Sequence, residues 1–131
     1  VDNMRYFFNE FDGSLDIVLY YLDPEIEPSL ATIARAFPNL SMGAPWWFND
    51  SPYGMEQHLK YVSTVDLLSN HAGMVTDSRK LMSYDSRTEV FRRVLFNVLG
   101  EMVTKGQMPY KCASDIAASI SYYRPLNLFF K

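Results

Sequence analysis

Asp77 and Arg79, two residues apart in the turn Thr76-Asp77-Ser78-Arg79, are the pair in this sequence best suited to chemistry. A carboxylate at the end of a strand can bind a metal or exchange a proton with a carbohydrate carbon. A guanidinium beside it offers a planar fork of donors that matches a substrate carboxylate. The same residues have an ordinary use, in which Asp77 caps the turn and Arg79 neutralises it, because Asp-Ser after an apolar run is common turn chemistry. The residue types alone leave these two readings even. A second group is Trp46-Trp47 with Asn49 and Asp50, and a third is Asp23. A large aromatic at a strand's end can wall a sugar pocket or fill core space, and core filling is commoner. Two in succession point in different directions, so one of each is expected.

Other candidates carry less. His58 lies inside a helical pattern and is expected to be a solvated or partly packed surface residue. His71 opens an apolar run, on the side of a β/α sheet associated with stability, and is expected to be structural. Two histidines so far apart in sequence do not suggest a self-contained histidine metal site. Arg92-Arg93 reads as a solvated or salt-bridged helix flank. Cys112, the single cysteine, rules out an intrachain disulfide and suits a reducing cytosol. No activating base lies near it, so it is expected to be a small packed residue.

These residues must be positioned by the elements around them. Three short apolar segments stand out: Leu15 to Leu22 closed by Asp23-Pro24, Leu40 to Ala44 closed by Pro45, and Ala72 to Thr76 closed by Asp77-Ser78. The first is continuously apolar, as in a parallel strand buried on both faces. Helical patterns lie between them. Leu30, Ile33, Ala34 and Phe37 form one face, with Pro28 near its start and Pro38 as its stop. Met55, Leu59 and Val62 form another, opened by Ser51-Pro52. A third runs through Phe91, Val94, Leu95, Val98, Leu99 and Met102, with Ser86-Arg87-Thr88-Glu89 as a capping box and Lys105-Gly106 as the stop. Further helices are expected from Pro109 to about Ser121 and after Pro125. Strands alternating with helices imply a parallel sheet. In such folds active sites form where strands end, so Asp23, the Trp46 to Asp50 group and Asp77 to Arg79 should converge on one rim.

The bulk numbers are compatible with this. The chain has 131 residues, 48% of them hydrophobic, which suits one globular domain and argues against disorder. A net charge of −3 with both signs mixed gives no basic patch for nucleic acid or an anionic membrane. The longest apolar runs are too short to span a bilayer, and no signal-peptide pattern opens the chain. It starts at Val1, and Met4, Phe7, Phe8 and Phe11 follow a helical spacing that no capping residue introduces. A chain cut within or just before a helix is expected. A closed β/α barrel needs eight units over about 250 residues, so three units are expected to be part of such a fold.

The segments Gly43-Ala44-Pro45-Trp46-Trp47-Phe48-Asn49-Asp50, Gly73-Met74-Val75-Thr76-Asp77-Ser78-Arg79 and Glu89-Val90-Phe91-Arg92-Arg93-Val94-Leu95 resemble the uronate (glucuronate) isomerases. The resemblance covers essentially the whole chain. It implies an α/β fold, the C-terminal part of a (β/α)8 TIM-like barrel of the amidohydrolase superfamily. About three parallel strands with flanking helices would form residues 1–131 of a single domain truncated at its N-terminus. It implies an aldose–ketose isomerase interconverting D-glucuronate with D-fructuronate and D-galacturonate with D-tagaturonate, by proton transfer between C2 and C1 through an enediol. Asp77 resembles the eighth-strand aspartate that approaches the metal and is also a candidate for proton transfer. Arg79 resembles the arginine that contacts the sugar acid, and Trp47 the tryptophan of the pocket wall. A divalent metal such as zinc is implied for the full-length enzyme. The His-x-His pair expected after an early barrel strand is absent here, so no metal is expected to bind this chain in the family manner. The chain alone is expected to be inactive, cytoplasmic, a binder of small sugar acids with no nucleic-acid or membrane partner, and a homo-oligomer or self-associating. A non-catalytic half-barrel that binds sugar acids is the alternative.

Overall fold

The computed structural model describes residues 2–11, 13–44 and 49–130. The elements follow in the order α1 (Asp2–Glu10), β1 (Ile17–Leu19), α2 (Glu27–Ala36), β2 (Leu40–Met42), α3 (Pro52–Thr64), α4 (Tyr84–Thr104), α5 (Tyr110–Ala118) and α6 (Arg124–Phe129). Strands β1 and β2 are parallel, with Ile17 opposite Leu40, Val18 opposite Ser41 and Leu19 opposite Met42. Helix α2 makes the crossover that a parallel pair requires. None of the described helices is long and apolar enough to cross a membrane.

Local chemistry sets the helix ends. Pro28 sits in the first turn of α2, where a missing N–H costs nothing. At the other end Pro38 forces Phe37 out of the helix, to φ −116 and ψ 113. Helix α3 opens on Ser51, extended at φ −142 and ψ 158, whose hydroxyl accepts the Gly54 N–H at 3.0 Å. The expected capping box on α4 is not used. That helix begins at Tyr84, behind a 3-10 turn over Leu81–Ser83. The hydroxyl of Ser86 instead donates to the Ser83 carbonyl at 3.3 Å, and Glu89 pairs with Arg93.

The third apolar segment is not a strand, contrary to expectation. It touches β2 through two bonds: Ala72 N–H to the Met42 carbonyl at 2.8 Å, and Ala44 N–H to the Gly73 carbonyl at 3.4 Å. Gly73 then takes φ +89, outside the extended region, and the ladder stops. A Cβ at Gly73 would stand 2.6 Å from Pro125 Cγ and 2.9 Å from the Ile120 carbonyl oxygen. The C-terminal helices therefore fix where the segment turns. They are anchored in turn by Arg124, whose Nη2 donates to Ser41 Oγ at 2.9 Å and to Asn70 Oδ1 at 2.5 Å. The result is a mostly helical α/β chain with a small parallel sheet.

One core cluster joins the sheet to α2, α3 and α4. Leu40, Met42, Leu59, Val62, Phe91, Leu95 and Val98 are buried there. Burying each such side chain contributes roughly 1.5–3 kcal/mol. On the outside of α3 and α4 Lys60 bridges Glu56 at 2.6 Å and Glu101 at 2.9 Å, while Lys105 holds Glu101 at 2.5 Å. Strand β2 is buried throughout, whereas Ile17 and Val18 of β1 are only half-buried. Cys112 is exposed on α5, not packed as expected; Ala113 and Ala117 take the inward positions of that helix.

Candidate active site

The stagger of the third segment places its turn on the carboxyl side of the sheet. Because Ala72 and Gly73 pair with Met42 and Ala44, the residues from Met74 to Arg79 continue past the last rung of β1 and β2. Asp77 has φ +45, the left-handed region that aspartate tolerates better than most residues. Thr76 and Ser78 tie the turn. Thr76 Oγ1 accepts the Ser78 N–H at 3.4 Å, and the Ser78 hydroxyl donates to the Lys80 carbonyl at 3.1 Å. Ser78 Oγ is also bonded to Ser83 Oγ, which joins the turn to the start of α4.

Asp77 and Arg79 have no part in that framework. Both are exposed, and among the described residues neither side chain enters a hydrogen bond or ion pair. The cap that could have been Asp77's ordinary use is supplied by Thr76 and Ser78.

Neighbouring loops are drawn to the same edge. Asp23, just after β1, accepts the Glu25 N–H at 2.9 Å and so caps a short 3-10 turn. Asn49, after β2, is buried and donates from Nδ2 to the Leu22 carbonyl at 2.9 Å, which binds the second loop to the first. Asp50 forms an ion pair with Arg87, near the start of α4. Trp46 and Trp47 lie outside the described residues. No cluster of three or more His, Cys, Asp or Glu side chains suited to a metal occurs among the described residues.

A buried polar group stands apart from the rim. His58, expected at the surface, is fully buried, and so is His71. Their Nε2 atoms are 3.0 Å apart, although thirteen residues separate them in sequence. His58 Nδ1 lies 2.8 Å from Glu27 Oε1 and 3.1 Å from the Tyr21 hydroxyl. His71 Nδ1 accepts the Gly73 N–H at 3.0 Å, and its ring stacks on Phe91. That backbone donor fixes every proton in the row. With Nδ1 an acceptor, His71 carries its proton on Nε2 and donates it to His58 Nε2. His58 therefore carries its own on Nδ1 and donates it to Glu27. Burial, reinforced by the neighbouring His58 ring, holds His71 well below the usual histidine range. Burial and the adjoining Glu27 carboxylate raise the Tyr21 hydroxyl.

The signal for two of these residues was periodic. His58 completes Met55, Leu59 and Val62 at i, i+3, i+4 and i+7, and Glu27 completes Leu30, Ala31 and Ala34 in the same way. A polar residue occupying a slot of a buried face must find partners inside the fold.

The family model of glucuronate isomerase matches residues 1–129. The chain belongs to the glucuronate isomerase family. It is 66% identical over 130 residues to a uronate isomerase of Thermotoga sp. (strain RQ2), covering 99% of this chain and 29% of that relative. The crystal structure of uronate isomerase from Thermotoga maritima superimposes with a TM-score of 0.96 at 66% identity, over 98% of this chain and 29% of that one. The glucuronate isomerase of Caulobacter crescentus does so with a TM-score of 0.91 at 30% identity, over 98% of this chain and 27% of that one. The chain thus spans under a third of the length of the family members it matches.

Proposed function

We propose that this chain provides the C-terminal units of a (β/α)8 barrel, a uronate isomerase, and that the turn from Thr76 to Arg79 is its share of the active site. The reaction is the interconversion of D-glucuronate with D-fructuronate, and of D-galacturonate with D-tagaturonate, by ring opening and proton transfer between C2 and C1. One observation carries this reading. In a chain of the glucuronate isomerase family, a turn on the carboxyl side of the sheet presents a carboxylate and a guanidinium that its own framework does not use.

In this reading Asp77 exchanges the proton of the sugar carbon, which needs a carboxylate within hydrogen-bond reach and free of other duties. Arg79 grips the sugar's own carboxylate through two parallel N–H donors and so fixes which end of the substrate faces Asp77. Trp47 forms a wall of the pocket. Asp77 also fits an oxygen ligand for a divalent metal such as zinc, which when bound would polarise the sugar carbonyl. The remaining ligands would come from the rest of the full-length enzyme.

The test uses a chimera in which this segment replaces the matching stretch of the Thermotoga maritima relative. The chimera is expected to convert D-glucuronate to the ketose, and the isolated chain to do nothing. An inactive, folded chimera would overturn the reading. Calorimetry that finds glucuronate bound tightly by the isolated chain, lost in Arg79→Ala, would support a binding module in its place. The outer edge of β1, which pairs with no further strand among the described residues, favours self-association of the isolated chain. Light scattering that finds a clean monomer at roughly tens of micromolar would refute that.

A further inference from the structure

Neither buried histidine can touch a substrate, since both are fully excluded from solvent. Whatever they contribute must act through another residue. The row of hydrogen bonds runs in one direction, from the Gly73 N–H to His71, from His71 to His58, and from His58 to the Glu27 carboxylate. It draws together the first turn of α2, the middle of α3 and the third apolar segment, and Tyr21, after β1, meets it at His58. Apolar side chains could fill the same space. What they could not do is take up the Gly73 amide, which is buried and has left the sheet ladder.

Gly73 is where the chain leaves the sheet, and Asp77 follows four residues later. The path between them is set at two left-handed residues, Gly73 at φ +89 and Asp77 at φ +45. From one side Gly73 is confined by Pro125 and the Ile120 carbonyl. From the other, His71 holds its amide. We infer that His71, oriented by His58 and Glu27, is a positioning residue for Asp77 and Arg79: it fixes the backbone direction from which the rim turn is launched. This rests on the reading of the turn as an active-site element.

Two substitutions separate this role from simple core packing. In His71→Asn the amide oxygen stands about where Nδ1 stood and can accept the Gly73 N–H, while the reach to His58 is lost. In His71→Gln the side-chain amide reaches toward His58 and the Gly73 N–H loses its acceptor. Both remove the same ring from Phe91, so a packing role would affect them alike. Measured in the chimera, His71→Asn is expected to keep kcat within roughly threefold, and His71→Gln to lose roughly tenfold or more with a similar melting temperature. Equal kcat in the two variants, or activity that merely follows melting temperature, would overturn the proposal.

Asp77→Asn in the same chimera separates the two claims. Its inactivity together with equal His71 variants would refute the positioning role alone. An active Asp77→Asn would refute the site and the positioning role together. Should both His71 variants fail to fold, the unsubstituted chimera labelled with 15N-glycine and 15N-histidine still decides. A scalar coupling across the Gly73 N–H to His71 Nδ1 bond, with the proton of His71 on Nε2, is expected. A protonated Nδ1 would overturn the proposal.

Discussion

The same substitution at two glycines should change stability in opposite directions. Gly73 has φ +89, and an added Cβ would stand 2.6 Å from Pro125 Cγ and 2.9 Å from the Ile120 carbonyl oxygen. Holding an L-residue in the left-handed region costs roughly 1–2 kcal/mol. Forcing one methyl into a packed site costs roughly 1–3 kcal/mol more, because neighbours must shift. Gly73→Ala should therefore destabilise by about 2–5 kcal/mol. Gly100 lies on the exposed side of α4, and a Cβ there would meet nothing within 4 Å. Gly100→Ala should stabilise by about 0.5–1 kcal/mol, through helix propensity and a less flexible unfolded chain. Urea unfolding of the chimera, followed by circular dichroism at unchanged slope, measures both. If Gly73→Ala moves the midpoint by no more than Gly100→Ala does, or in the same direction, the close approach of the C-terminal helices to Gly73 is wrong.

Three further outcomes follow from the side chains. Ser51→Ala should cost about 1 kcal/mol by removing the cap on α3, read as a lower urea midpoint. Below about pH 6.5 the unfolded chain takes up a proton at His71 that the fold refuses, since the folded value is depressed. Stability should therefore fall with decreasing pH by up to about 1.4 kcal/mol per unit, with no such effect above that window; His71→Gln should remove that part of the slope, and identical slopes would contradict it. Glu101, pulled down to about 2 by hydrogen bonds from Lys105 and Lys60, should show a low carbon-13 titration midpoint that rises in Lys105→Met. Its contribution is present above the usual glutamate range and fades as pH falls toward 2, and added salt should weaken it because the network is exposed.

Helix punctuation was legible because its chemistry is local. Pro28 and Pro38 bound α2 and Ser51-Pro52 opens α3, each through backbone geometry that the residue itself imposes. That the chain turns at Asp77-Ser78 was legible too, though not the division of labour by which Thr76 and Ser78 tie the turn and leave Asp77 and Arg79 exposed. The third strand failed because Gly73 reads as one more apolar position, while its conformation is dictated by helices some fifty residues later. The capping box on α4 is bypassed because the 3-10 turn over Leu81–Ser83 runs directly into the helix at Tyr84, ahead of Ser86. His58 could have been placed from its slot in a buried face. Its meeting with His71 could not, since that depends on how α3 packs beside the third segment. The Trp47 expectation lies outside the described residues.

The measurement closest to the central claim is the turnover of D-glucuronate by the chimera carrying Asp77→Asn, beside Arg79→Ala, with folding checked by circular dichroism. If the turn works as proposed, Asp77→Asn lowers kcat by roughly 10²–10⁴-fold, the usual scale for a positioned acid or base, while Arg79→Ala acts chiefly by raising KM. Two folded variants with unaltered kcat and KM would contradict it.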